Sequence, residues 1–364
     1  MIHTMKILFI SHAYPPTVGG VENQNFELAS WLGKIAEVRI MANGRGKKVL
    51  PLWMPYTLLK CFFVAPKYDV ILLGNALLAH MGWILKIIYR KPVIVVAHGL
   101  DLTFKNWIYQ TFWVGFFIKK MDKIICVGNE TIRVAKEKGI DAEKLVFIPN
   151  GVNTNKFIAE YSWTDIEKIF GKKLAQKKIL MTSGRLARRK GVAWFIRNVM
   201  PKLDQNILYI VAGDGVDKEN IQVAIQEKNL ADRVQMIGYM GDPVRDMLFH
   251  TCDLFIQPNI KTVGDMEGFG LSVIEAAYCG IPVLAANLEG LKDAIKDGQD
   301  GFLIEPEDVA GYVAKINELL SNDENRKAFG QKARQFVIDN YSWDKIAEKY
   351  LTEIEKTISN QKNI

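Results

Sequence analysis

The sequence predicts an α/β protein built of two doubly wound, Rossmann-like domains facing each other across a cleft, and three observations lead there. At 364 residues the chain exceeds one ordinary core and suits two domains of about 150–200 residues. Short β-branched runs alternate with helix-length amphipathic segments throughout, the pattern of parallel sheets covered on both faces by helices. The alternation also resets once, after the turn-rich Pro149-Asn150-Gly151.

The first series places strands near Ile7–Ser11, Glu37–Met41, Val70–Leu73, Val93–Ala97, Ile124–Val127 and Val146–Ile148. After a polar passage the second series runs through Ile179–Thr182, Ile207–Ala212, Val234–Ile237, Leu254–Gln257 and Pro282–Ala285. The boundary falls within 150–175, and we draw the domains as 1–157 and 158–364. The final amphipathic stretch, about 343–358, is a candidate to pack back on the first domain. Doubly wound sheets bind ligands beyond the carboxyl ends of their strands, so two facing sheets set the active site between them.

Four single cysteines, Cys61, Cys126, Cys252 and Cys279, have neither disulfide nor zinc spacing and read as reduced thiols. The N-terminus enters an apolar strand without the long apolar region and cleavage site of a signal peptide, which predicts a cytoplasmic protein. A peripheral position on the cytoplasmic membrane face stays open.

The net charge of +7 is uneven: residues 1–150 hold 19 Lys and Arg against 10 Asp and Glu, and the remainder 28 against 30. A basic first half can attract an anionic bilayer or a phosphorylated acceptor. No nucleic-acid-binding signature accompanies it, so nucleic acid is not expected as a partner. Three segments there are strongly apolar and aromatic, Leu50–Val64, Leu77–Tyr89 and Phe104–Ile118, but Lys60, His80, Lys86 and Gln110 interrupt them. None is an uninterrupted span of about 18 apolar residues. They are either sheet-covering helices buried on two sides or helices in a membrane interface, with the neighbouring Lys60, Lys67, Lys105, Lys119, Lys120 and Lys123 on the headgroups.

The chemistry concentrates at Glu267-Gly268-Phe269-Gly270-Leu271 and the following Ser272–Gly280. Two glycines permit a tight turn, a helix starts near Leu271, and its free amides and positive end suit a phosphate. Glu275, one turn further, can accept hydrogen bonds from ribose hydroxyls, and Glu267 can do the same for a sugar. Arg185 and Lys190 follow a strand, where a doubly wound domain presents groups to ligand. Arg188 and Arg189 compete with them and read as solvated surface charge. His98, alone among five histidines, follows a β-branched strand and precedes a glycine; His12 is ambiguous, and His3, His80 and His250 read as structural. Gly213-Asp214-Gly215 lacks a full dinucleotide fingerprint and reads as a loop near the ligand. The chain has no Asp-x-Asp and no cluster at metal-ligand spacing, so no metal or other cofactor is expected.

Together these motifs resemble the retaining GT-B glycosyltransferases of family 4, also called glycosyl transferases group 1. Glu267 to Glu275 is similar to the family's Glu-x7-Glu signature, and His12-Ala13-Tyr14-Pro15-Pro16 with Gly19-Gly20-Val21-Glu22 resembles its N-terminal glycine loop. Ala97-His98-Gly99-Leu100-Asp101 is similar to its histidine motif, Ile148-Pro149-Asn150-Gly151-Val152 with Phe157 to its domain-joining motif, and Ser183-Gly184-Arg185-Leu186 with Lys190-Gly191 to its basic loop. The resemblance implies a nucleotide-diphosphate sugar donor whose phosphates meet Arg185, Lys190, Gly19, Gly20 and the loop Phe269, Gly270 and Leu271. It implies that His98 contacts the transferred sugar, and that backbone at Ile237 and Gly238 holds the base. It also implies transfer of a hexose, mannose or glucose, to a lipid-linked or polysaccharide acceptor, by a front-face substitution without a covalent nucleophile. A silent sugar-nucleotide-binding protein, or an epimerase or phosphorylase on the same fold, is the alternative. Asn259–Met266 is longer than the family's usual connection, and reads equally as a selectivity element or a mere loop.

Overall fold

The computed structural model describes residues 4–156, 161, 163–170, 177–239 and 241–362. Phe157 of the domain-joining motif lies outside them. The chain divides into two compact units, Met1–Asn153 with Ser342–Ile364, and Thr154–Tyr341. The last helix thus belongs to the first unit, and the second ends at Tyr341, not at residue 364 as the sequence boundary had it.

The first unit is a parallel sheet of β1 (Lys6–Ser11), β2 (Glu37–Ala42), β3 (Val70–Leu73), β4 (Val93–Ala97), β5 (Lys123–Cys126) and β6 (Leu145–Phe147), in the order β2-β1-β3-β4-β5-β6. Ile7–Ile10, Val70–Leu73 and Val93–Ala97 are wholly buried. Strands covered on both faces must be apolar at every position, which is why they stood out as unbroken runs. The helices are α1 (Gly20–Ile35), α2 (Leu50–Val64), α3 (Ala79–Tyr89), α4 (Leu100–Thr103) and α5 (Asn129–Glu137), and a π-helix spans Tyr109–Phe117.

None of the three apolar segments is buried on two sides, and two of them are barely buried at all. Among the residues of α2 only Thr57 and Cys61 are buried, and in the π-helix only Val114 is. By contrast α3 buries one face, through Ala79, Met81, Gly82 and Leu85.

The second unit holds β7 (Lys178–Ser183), β8 (Ile207–Ala212), β9 (Val234–Gly238), β10 (Leu254–Gln257), β11 (Val283–Ala286) and β12 (Phe302–Ile304), parallel and ordered β12-β11-β10-β7-β8-β9. The strand β12 has no counterpart in the sequence reading. It is three residues long, two of them half-buried, at the sheet's edge, too short to show a period. Helices α6 (Trp163–Phe170), α7 (Val192–Asn198), α8 (Lys218–Glu227), α9 (Asp242–Thr251), α10 (Leu271–Tyr278), α11 (Leu291–Ala294), α12 (Val309–Ser321) and α13 (Asp323–Tyr341) cover it. Phe195, Tyr209 and Tyr312 pack edge to face or tilted in its core, with centroids 5.1 Å and 5.8 Å apart. The chain then returns to the first unit as α14 (Trp343–Lys362), which buries Trp343, Ile346, Ala347, Tyr350 and Ile354 and is tied to β5 by Lys123–Glu353 at 3.2 Å.

In each sheet the strand order reverses once, between β1 and β3 in the first and between β7 and β10 in the second. Loops leaving the carboxyl ends of such a pair diverge to opposite sides and open a crevice for ligand.

Candidate active site

The second unit's reversal point gathers the candidate donor-binding residues. Beyond β7 the basic loop is braced by backbone hydrogen bonds: Gly184 N donates to Ala212 O, Leu186 N to Asp214 O and Asp217 N to Leu186 O, each at 3.0 Å. The Gly213-Asp214-Gly215 segment is therefore the support on which the basic loop rests. Arg185 stands exposed on that loop. A 3-10 turn over Arg188–Lys190 follows and stops at Gly191, whose φ of +66° favours glycine. A Cβ there would lie 1.8 Å from the Pro258 carbonyl oxygen, so only glycine lets the basic turn close against the end of β10.

That closure turns Lys190 inward. Its Nζ lies 2.6 Å from Glu267 Oε2, with both side chains nearly buried. Arg189 turns the same way, 3.6 Å from Glu267 Oε2 and 3.5 Å from Asp265 Oδ1, with its side chain 16% exposed. The reading of Arg189 as solvated surface charge is corrected: alternation around the turn exposes Arg188 and directs its neighbour to the carboxylate.

From β10 a polar chain reaches the same oxygen. Gln257 Nε2 donates to Asn259 Oδ1 at 2.5 Å, and Asn259 Nδ2 donates to Glu267 Oε2 at 3.3 Å. The Glu267 backbone is held from both sides, its N–H donating to Glu289 Oε2 at 2.7 Å and its carbonyl accepting from Gly290 N at 3.1 Å. Asn259 and Asp265 both come from the long Asn259–Met266 connection, so that connection completes the coordination of Glu267 and Arg189.

Burial raises the Glu267 carboxyl, but Lys190 and then Arg189 outweigh it and hold it at about 2. The group is an anion near neutrality. Its Oε2 is committed to Lys190, Arg189 and Asn259, which leaves Oε1 to accept from a ligand. The helix α10 starts directly after Gly270, at φ +86°, and presents its first amides beside this group. Phe269 has its ring buried 5.9 Å from Tyr341, so only its backbone can meet a ligand. Glu275 is half-buried one turn into α10; burial and then its charge push the Cys279 thiol well up. At the end of β9, Gly238 has its carbonyl engaged by Gly213 N at 2.8 Å, while Ile237 is half-buried.

The first unit's reversal point gathers a second group. His98 leaves β4 with its backbone N–H donating to Asp101 Oδ2 at 3.0 Å and its Nε2 2.9 Å from the Gly74 carbonyl. A carbonyl only accepts, so Nε2 carries the proton and Nδ1 remains for a ligand. Asn75 Nδ2 donates to Asp101 Oδ1 at 2.7 Å, which makes Asp101 the anchor of the loop. His12, beyond β1, has a buried Nδ1 with no hydrogen-bond partner among the described residues. Burial pulls its pKa down, Asp101 opposes this, and His98 and Lys47 add to it. Gly20 opens α1 and Gly19 precedes it in extended backbone. Asn75 and Asp101 went unread in the sequence, although Asp101 belongs to the histidine motif.

Two family models match the chain, Glycosyltransferase Family 4 over residues 18–156 and Glycosyl transferases group 1 over residues 165–336. The chain belongs to this family of glycosyltransferases, and its fold is GT-B. It is similar to an uncharacterized glycosyltransferase of Methanocaldococcus jannaschii, at 25% identity over 95% of this chain and 96% of that one. It is also similar to the UDP-Gal:alpha-D-GlcNAc-diphosphoundecaprenol alpha-1,3-galactosyltransferase of Escherichia coli, at 26% identity over 78% of this chain and 76% of that one. Among solved structures, HepE of Anabaena in complex with UDP and glucose matches with a TM-score of 0.79 at 20% identity, over 97% of this chain and all of that one.

Proposed function

We propose that this glycosyltransferase moves a hexose, mannose or glucose, from a nucleotide-diphosphate sugar to a lipid-linked or polysaccharide acceptor of the cell envelope, with retention of configuration and without a metal. The observation that carries the reading is the ion-paired group Lys190, Arg189 and Glu267 at the β7/β10 reversal, beside the start of α10.

The diphosphate binds against the amides at the start of α10 and the cations Arg185 and Lys190. As the sugar's anomeric C–O bond breaks, negative charge gathers on the β-phosphate oxygen, where fixed donors in a dry site stabilise it most. In the second unit Glu267 Oε1 accepts from a sugar hydroxyl, and in the first unit His98 Nδ1 is an acceptor suited to a hydroxyl. Glu267 makes a poor covalent nucleophile, because two cations and an amide already hold its charge. A front-face substitution fits better: the departing phosphate oxygen takes the acceptor hydroxyl's proton while the new glycosidic bond forms on the face it leaves. Positioning and charge stabilisation then account for the rate. The acceptor class is supported by the E. coli relative, whose name specifies a diphosphoundecaprenol-linked sugar, and the donor class by the UDP held in the Anabaena structure.

The test is nucleotide release from a panel of UDP- and GDP-hexoses with a crude lipid extract, with and without EDTA. One donor should be turned over, chelation should not slow it, and the product anomer should match the donor's by NMR. Arg185→Ala should lose about 100-fold or more in kcat. If wild type and Arg185→Ala are equally inactive with every donor, the proposal fails.

A further inference from the structure

We infer that α2, α3 and the segment from Leu100 to Phe116 form a docking face for an anionic lipid surface, on which this chain lies without spanning it. The helical stretch Lys47–Lys67 is 21 residues long and apolar enough to cross a membrane, yet only 17% of its most apolar window is buried within the protein. The side chains left outside are the large ones. Phe63 is 81% exposed, Leu52 79% and Trp107 72%, with Leu59, Ile87 and Phe112 also exposed. Isolated exposed apolar residues are ordinary, whereas a face of this extent marks an interaction surface.

The face is continuous. Tyr89 of α3 donates its hydroxyl to the Phe62 carbonyl of α2 at 2.5 Å, and Trp83 of α3 meets Phe116 of the π-helix edge-on at 5.4 Å. Trp113 and Phe117 form a half-buried layer beneath, with Trp113 Nε1 donating to Leu77 O at 2.8 Å. Aromatic layers of this kind suit the boundary between headgroup and acyl chain.

Charge selects the occupant. Residues 43–121 contain eleven Lys and Arg against two acids, Asp69 and Asp101. Both acids are turned to internal work, Asp69 accepting from Lys6 N and Asp101 from Asn75 and His98 N. Nothing acidic on this stretch offsets the exposed Arg45, Lys47, Lys48, Lys60, Lys67, Arg90, Lys105 and Lys120. A second copy of the chain would bring the same positive charge against itself, whereas an anionic bilayer supplies the opposite sign and an apolar interior. The consequence for acceptor delivery rests on the proposed transfer: His98 begins the segment that reaches Phe104 and Trp107, so a lipid-borne acceptor would meet the sugar site at the bilayer surface. The docking itself does not depend on that transfer.

The experiment is flotation of the full chain with vesicles of phosphatidylcholine alone and of phosphatidylcholine mixed equally with phosphatidylglycerol. Wild type should float with the mixed vesicles, lose binding as salt rises, and bind neutral vesicles at least roughly tenfold more weakly. Leu59→Glu with Phe63→Glu should lose flotation while keeping the wild-type circular dichroism spectrum, and Val223→Glu, an exposed apolar position on α8, should float as wild type. Lys47→Ala with Lys48→Ala should weaken binding to mixed vesicles by roughly tenfold. No flotation with the mixed vesicles, equal flotation with both, or a solution dimer abolished by Leu59→Glu with Phe63→Glu would each overturn the inference. Because flotation uses neither donor nor acceptor, its outcome is independent of whether the transfer reaction is assigned correctly.

Discussion

Lys190 and Glu267 are worth most to each other. Removing one ion of a buried pair strands the other, at a cost of about 3–5 kcal/mol, whereas replacing both with apolar side chains of similar volume is often neutral. Lys190→Ala should therefore lower the urea midpoint strongly, and Lys190→Met combined with Glu267→Leu should recover most of it with no recovery of turnover. Two buried acids titrate with opposite sign. Glu267 is held at about 2, below its unfolded value of about 4.3, so its contribution is complete above about pH 4.3 and is lost as pH falls toward 2. Asp300 is the reverse. Burial pushes its carboxyl up to about 7, its Oδ1 accepts from Lys296 N at 2.7 Å, and its Oδ2 is buried without a partner among the described residues. Its contribution is complete below about pH 3.9 and is lost as pH rises through 7. Asp300→Asn should then stabilise the fold by about 1–3 kcal/mol at pH 8 and by little near pH 4, read from thermal unfolding at both. Little of this was legible in the sequence. Arg188 and Arg189 read as solvated surface because nothing local says that their turn will close on a carboxylate far along the chain. Asn259 likewise carries no motif.

At the scale of elements, the strands were read well where both faces are buried, because burial then writes itself into every residue. Where only one face is buried, or neither, the sequence left choices open. Apolar composition alone made α2 and the segment containing the π-helix equally good as buried or interfacial helices, and β12 was too short to register. The turn Arg188–Lys190 is the element on which the donor group depends, and Gly191 decides it. Gly191→Ala would force a side chain into a left-handed backbone and against the Pro258 carbonyl. The expected outcome is a loss of about 2 kcal/mol or more in chemical denaturation, together with weaker donor binding, since Lys190 can no longer reach Glu267. The same reasoning accounts for Gly270 at the start of α10, where an added Cβ would meet Leu291 Cδ2 at 2.6 Å.

For the whole molecule, the assignment of α14 to the first unit gives a direct expectation. A chain ending at Tyr341 leaves that unit without the apolar face of Ile346, Tyr350 and Ile354 and without the Glu353 partner of Lys123. Hydrogen exchange should show protection collapsing in α1 and β5 while β7 and β8 keep theirs. The donor acts through mass action: at about 100 times its Kd it should add about 2.7 kcal/mol to stability, so a thermal-shift screen reads out base and sugar together.

The sequence by itself determined the number and order of eleven strands, the glycine turns that start α1 and α10, and the pair of glutamates that marks the family. These are local, set by periodicity and by backbone conformations that neighbouring residues require. Only the tertiary structure decided which cations face inward, which oxygen of Glu267 is spent, how its charge is held, and which aromatic helices stay exposed. The reason is that Lys190 and Glu267, 77 positions apart, meet only because β7 and β10 pair side by side at the sheet's reversal. Burial and charge state follow from that meeting and from no property of either segment alone.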